Sequence, residues 1–184
     1  MRISACEVHM GKIIKNKYQY AVLGLGRWGS SLAKELYKND CEVLVVDNNE
    51  EKINAIGEYC THSLVGDLAD DSVIKAIGVD TFDTVIIAIG ENMQASIICA
   101  LTCKELGAKF IIAKANNEKH AKILKKIGID KVIIPEDDSA LKAAKTLMHP
   151  NVTELMESEK GYSIAEFIVP TNWIGKTLVD IKIR

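Results

Sequence analysis

Gly24-Leu25-Gly26-Arg27-Trp28-Gly29 spaces three glycines as G-x-G-x-x-G, a pattern that suits phosphate binding at the start of a helix. The first glycine permits a tight turn, the second lets a phosphate approach the backbone, and the third lets the helix pack closely. Asp47 follows Gly24 by 23 positions and ends a second apolar run, with Asn48 next. A carboxylate there accepts hydrogen bonds from ribose hydroxyls and repels a 2′-phosphate, which disfavours NADP. Asp47 also reads as a helix N-cap, since Glu50 and Glu51 would fill a first turn. Arg27, inside the glycine loop, either reaches a terminal phosphate or is a solvated charge near Glu35.

Two further loops would lie at carboxyl ends of strands, where ligands of open α/β sheets bind. Gly66-Asp67-Leu68 either contacts an adenine edge or is a capping turn at Asp67 or Asp70. Ala88-Ile89-Gly90-Glu91 follows a fourth strand, and Gly90 would let the chain pass close to a ligand. Lys114 ends a fifth strand, as a second positive charge on the same rim or as an ordinary exposed lysine. Glu136 follows a sixth strand. One carboxylate does not make a divalent site, so it reads on its own as a helix-start acid, or as part of a site shared across a dimer or with ligand phosphates.

The elements that must position these residues alternate strand and helix. Strands are expected over 19–24, 42–47, 62–66, 83–89, 109–113 and 131–134, and helices over 26–38, 50–57, 70–77, 92–106, 118–127 and 136–148. Val43–Val46 and Val85–Ile89 are nearly unbroken apolar runs, the mark of parallel strands buried on both faces. The fold class is therefore α/β, a Rossmann-like doubly wound parallel sheet of six strands in the order 3-2-1-4-5-6. Residues 152–156 are expected to resume the last helix after Pro150, and 162–169 to form a strand. The expected division is an N-terminal extension at 1–16, a nucleotide-binding domain at 17–150, and at 151–184 a linker with the start of a second, truncated domain.

The 184 residues carry a net charge of −2, so no basic bias marks a nucleic-acid binder. No apolar run reaches a membrane-spanning length of about 18 residues. Of the five cysteines, Cys99 and Cys103 share a helix face; they are expected to be buried free thiols rather than half of a metal site. The helix at 92–106 is apolar around much of its circumference, which points either to oligomerisation or to burial within one domain.

Taken together, residues 20–29, Val46-Asp47, 85–96, Lys114-Ala115, 124–128 and Ile134-Pro135-Glu136 resemble the RCK family (regulators of potassium conductance), and more narrowly the gating subunits of Trk/Ktr-type potassium uptake systems. The resemblance covers about residues 17–150. It implies a cytoplasmic homodimer, assembled into a ring such as an octamer, docked at the inner face of the membrane on a potassium-translocating protein. It also implies ATP and ADP, or NAD and NADH, in the cleft. Arg27 matches the arginine that contacts the γ-phosphate in Ktr-type members, and Glu136 the glutamate that takes part in binding a divalent cation (Mg²⁺ or Ca²⁺). Gly66-Asp67 is closer to the Trk-like, NAD-associated pattern. Family members usually continue into a C-terminal RCK subdomain, of which this chain holds the beginning.

The competing expectation is an NAD-dependent oxidoreductase, which needs an acid–base group beside the nicotinamide. His62 opens a strand and His120 is expected on a polar helix face, so neither is well placed. The sequence therefore favours a regulatory binding module without catalysis.

Overall fold

The computed structural model describes residues 17–148, 152–157, 163–167, 169, 171–177 and 179–181. The expected extension at 1–16, Cys6 and Pro150 lie outside them. Contacts divide the chain into two compact units at Ile134/Pro135.

The first unit alternates β1 (Gln19–Leu23), α1 (Arg27–Lys38), β2 (Glu42–Asp47), α2 (Glu50–Ile56), β3 (His62–Val65), α3 (Asp71–Ile77), β4 (Thr84–Ile87), α4 (Met93–Glu105), β5 (Ile111–Lys114), α5 (Glu118–Ile127) and β6 (Lys131–Ile133). All six strands pair in parallel, in the order β3-β2-β1-β4-β5-β6. The chain leaves β1 toward β2 on one side and returns to pair β4 on the other. That reversal puts the switch point between β1 and β4.

Side-chain alternation divides the sheet into two apolar faces. Val22, Val43, Val45 and Ile86 pack with Ala33 of α1 and with Ile53 and Ile56 of α2. Ala21, Leu23, Val46, Val85, Ile87, Ile111 and Ala113 pack on the opposite face with Ile74, Cys99, Ala100, Cys103, Ala121 and Leu124 of α3, α4 and α5. Leu23, Val45 and Ile87 are fully buried, each contributing roughly 1.5–3 kcal/mol by leaving water. This two-sided burial is what the unbroken apolar strands require.

Cys99 and Cys103 are buried and free, as expected. The Cys99 thiol is held well above its ordinary range, first by its hydrogen bond with Cys103 and then by burial. Helix α4 is not apolar all round in its packing: Ala95, Ser96, Cys99, Ala100 and Cys103 face inward, whereas Met93 and Leu101 stay exposed.

The second unit contains α6 (Pro135–Met148) and an antiparallel pair, β7 (Val152–Glu157) with β8 (Ser163–Phe167). The expectation of resumed helix at 152–156 is therefore corrected to strand. Leu155 pairs with Ala165 and Met156 with Ile164, so ladder hydrogen bonds override the helical preference of Glu-Leu-Met-Glu. Strand β8 falls within the segment expected to be strand.

Candidate nucleotide-binding site

The glycine loop turns directly off β1. Gly24 has φ 104° and its N–H donates to the Val46 carbonyl at 2.8 Å. A Cβ on Gly24 would stand 3.0–3.1 Å from the Ala88 carbonyl and the Ile89 nitrogen, so this position is limited by both backbone angle and space. At Gly29 a Cβ would lie 2.1 Å from the Gly24 oxygen. Only hydrogen at that point lets α1 press against the end of β1.

Gly26 is the N-cap of α1, with extended backbone and open space where a side chain would be. Among the described residues no side chain caps this helix, and its first turn holds no acid. The starts of α2, α3, α4 and α5 are all capped, by Asn49, Asp70, Asn92 and Asn117. An uncapped first turn presents N–H groups and the positive end of the helix dipole, which is an anion site. Arg27 is exposed in this turn and forms no ion pair with Glu35 among the described residues. Trp28 packs its ring on the α1-side core, so it offers the rim only backbone.

Asp47 is 6% exposed. One carboxylate oxygen accepts from the Leu25 N–H at 2.6 Å; the other accepts from the Asn49 N–H at 2.9 Å and lies 3.5 Å from the Lys52 ammonium. Asn49, not Asp47, caps α2. Asp47 thus fixes the glycine loop to the end of β2 with a short charge-assisted bond. Asn48 beside it is exposed.

Gly66 donates its N–H to the Asp47 carbonyl at 3.1 Å. The Asp67 carboxylate accepts from the Ala69 N–H and Asp70 caps α3, so the turn reading accounts for the bonds at both acids. Hydrogen bonding to Ser72 lowers the pKa of Asp70. Leu68 is buried in the core, leaving Gly66, Asp67 and backbone at the rim.

On the other side of the switch point, Ala88 is buried, Ile89 and Gly90 are half-buried, and Glu91 is exposed. The Lys114 ammonium lies 3.9 Å from where a Gly90 Cβ would be, and Asn116 donates its side-chain amide to the Gly90 carbonyl. The structure therefore gathers Gly24–Gly29, Asp47, Gly66, Ala88–Gly90 and Lys114 along the carboxyl rim of one sheet.

Glu136 is exposed near the start of α6, in the second unit, with Asp137 and Asp138 beside it. Among the described residues no group of three or more His, Cys, Asp or Glu could hold a metal ion.

Two residues of this rim carried no weight in the sequence. Lys52 and Asn116 are ordinary polar residues until the fold sets them against Asp47 and Gly90. His120 corrects an expectation: it is fully buried, not on a polar face. Its Nδ1 accepts from the Asn116 N–H at 3.3 Å, and burial lowers its pKa. His62, by contrast, is exposed at the amino end of β3, the opposite end from the glycine loop.

Residues 20–135 match the TrkA-N domain. Ktr system potassium uptake protein C of Bacillus subtilis (strain 168) is 42% identical over 168 residues, covering 91% of this chain and 76% of the relative. The chain belongs to the TrkA-N domain family. Ktr system potassium uptake protein A of the same organism is also 42% identical, over 175 residues, covering 95% of this chain and 78% of that one. A solved structure of the GsuK channel bound to NAD shares the fold, with TM-score 0.60 and 16% identity over 82% of this chain and 28% of its own. The TrkA-N match holds all six strands and every rim loop described above; Glu136 follows its last residue. The resemblance to Trk/Ktr potassium uptake proteins is thus borne out at family level. Among the described residues of this TrkA-N chain, no helix is long and apolar enough to cross a membrane.

Proposed function

We propose that this chain is a cytoplasmic regulatory subunit that senses an adenine nucleotide and gates a potassium-translocating membrane protein. The supporting observation is the uncapped, acid-free start of α1 beside Asp47 at the switch point. Phosphates sit against the first-turn N–H groups of α1, and ribose hydroxyls donate to Asp47. The backbone at Gly66 and Asp67 borders the adenine, and Ala88–Glu91 with Lys114 form the opposite wall. The ligand is ATP or ADP, or NAD(H). Arg27 reaches a γ-phosphate that ADP lacks, which provides the differential affinity any ligand-driven switch needs.

One feature of this reading, potassium transport, comes from the relatives' names. Both Bacillus subtilis proteins are named for potassium uptake, and the chain spans about three quarters of each. On that footing the six-stranded domain is the nucleotide sensor, and α6 with the β7–β8 pair belongs to a second unit. Copies dimerise and close into a ring on the membrane partner, and Glu136 contributes to a shared Mg²⁺ or Ca²⁺ site. No catalysis is assigned: His62 lies at the wrong end of the sheet and His120 is sealed in the core.

The test is calorimetry of the full chain with ATP, ADP, NAD and NADH, with and without Mg²⁺ or Ca²⁺, beside Arg27→Ala. ATP is expected to bind about tenfold more tightly than ADP, a preference worth ~1.4 kcal/mol that Arg27→Ala removes. Tight NAD or NADH binding with no preference between ATP and ADP would replace the γ-phosphate sensor by a redox sensor. No binding of any of the four would end the nucleotide reading.

A further inference from the structure

We propose that His120 is a positioning residue for the cleft, acting through Asn116 to hold the loop that forms the wall opposite the glycine fingerprint. The inference rests on the nucleotide reading above for its purpose, but the device itself is built from contacts of the ligand-free chain.

His120 occupies the third position of α5 and is fully buried. Its Nδ1 accepts from the Asn116 N–H, so the ring is the neutral tautomer with its proton on Nε2. That Nε2 is buried with no hydrogen-bond partner among the described residues. A leucine would fill the space without leaving a buried polar atom unsatisfied. The polar group is therefore accounted for by the one bond it makes, to Asn116.

That bond is part of a closed loop. The His120 N–H donates to the Asn117 side chain at 3.0 Å while His120 Nδ1 receives Asn116, so the turn from β5 into α5 is fastened from both directions. Asn116, held by its backbone, sends its side-chain amide to the Gly90 carbonyl. Gly90 adjoins Ala88 and Ile89, the two residues against which Gly24 packs. The Lys114 ammonium sits near Gly90, two residues before Asn116. One imidazole thus sets the mutual spacing of the β5 loop, the β4 loop and, by contact, the glycine loop. A one-ångström loosening of such a wall is enough to degrade a binding geometry.

The experiment compares the full chain with His120→Leu, His120→Asn, Asn116→Ala and the His120→Leu/Asn116→Ala double variant. Asparagine places an oxygen close to where Nδ1 stands, so His120→Asn keeps the acceptor. Two readouts are taken: ADP and NADH affinity by calorimetry, and hydrogen exchange without ligand of the Asn116 amide and of the Ala88 and Ala95 amides, which are hydrogen-bonded on either side of the Gly90 loop.

His120→Leu is expected to speed exchange at Asn116, Ala88 and Ala95 and to weaken the tighter ligand about tenfold. His120→Asn is expected to restore both. Asn116→Ala, at an exposed position that does not endanger folding, should match the affinity loss, and the double variant should be no worse than either single. Unchanged exchange at Ala88 and Ala95 in both single variants would overturn the proposal. So would additive losses, or failure of His120→Asn to restore exchange. If the parent chain binds no nucleotide yet the exchange pattern appears, the nucleotide reading fails and the positioning device stands. If the parent binds and all variants bind equally, the reading stands and the proposal fails.

Discussion

Helices α1 and α5 both start from the carboxyl rim of the same parallel sheet, yet their first turns are built in opposite ways. At α5 the Asn117 side chain caps the turn, Glu118 complements the dipole, and the His120 N–H is satisfied. At α1 the N-cap is Gly26, no side chain caps the turn, and the residue that follows is the cationic Arg27. Topology sets where each start lies: α1 leaves β1 at the switch point, whereas α5 leaves β5 and packs on the opposite face of the sheet. Sequence sets how each start is finished. One start is completed from within the chain; the other has its donors and its positive end turned to an outside anion.

The contrast is tested most severely where α1 meets β1. Gly29→Ala puts a methyl 2.1 Å from the Gly24 oxygen, so the helix or the strand end must move. About 3 kcal/mol of stability should be lost in a urea titration, at the upper end for overpacking, together with nucleotide binding. An alanine variant as stable as the parent would mean that the close approach of α1 to the rim is not a constraint.

The next test turns the open start into a closed one. Gly26→Asp gives α1 a capping carboxylate with room to stand, since nothing lies within 4 Å of a Cβ there. Stability should change little, as Gly and Asp differ by only a few tenths of a kcal/mol at an N-cap. Nucleotide affinity by calorimetry should fall by more than tenfold, because a negative charge then occupies the phosphate position. Equal affinity would mean that phosphates bind elsewhere.

Legibility in the sequence followed the same division. Strand order, the buried strands and the glycine loop were readable because they depend on patterns that repeat: apolar runs of β-branched residues and fixed glycine spacing. Asp47 was readable by position, but not the Leu25 N–H that its carboxylate receives at 2.6 Å. Helical periodicity placed His120 on a polar face, since Lys119, Lys122 and Lys125 surround it in sequence; only the packing of α5 on α4 shows the ring pointing inward. Asn116 had no signal at all, because its partner Gly90 is 26 positions away. In the second unit, residues 152–156 were misread as helix, because an antiparallel strand is decided by its partner strand.

The mirror of the Gly26 change is Asn117→Ala, which opens the closed start. Removing an Asn N-cap should cost about 1 kcal/mol in a thermal or urea melt. Nucleotide affinity should fall severalfold at most, less than in Asn116→Ala, because the Asn116 bond to His120 Nδ1 remains and Asn116, not Asn117, reaches Gly90. A tenfold affinity loss here would mean that the α5 start, too, belongs to the ligand.

The smallest effect separates the two helix starts by pH. Burial lowers the pKa of His120, so its folded value lies below the unfolded value of about 6.5. The unfolded chain then binds the proton more readily. Stability from the neutral ring is fully present above about pH 6.5 and is lost as pH falls through the folded pKa. Protonation also takes the Nδ1 lone pair from Asn116, so the α5 turn loosens in that range while the α1 start, which has no titrating cap, does not. Urea midpoints measured between pH 8 and pH 5 should fall for the parent chain and fall less for His120→Asn, which accepts the same bond without titrating. Identical slopes for the two would assign the acid loss to the surface carboxylates instead.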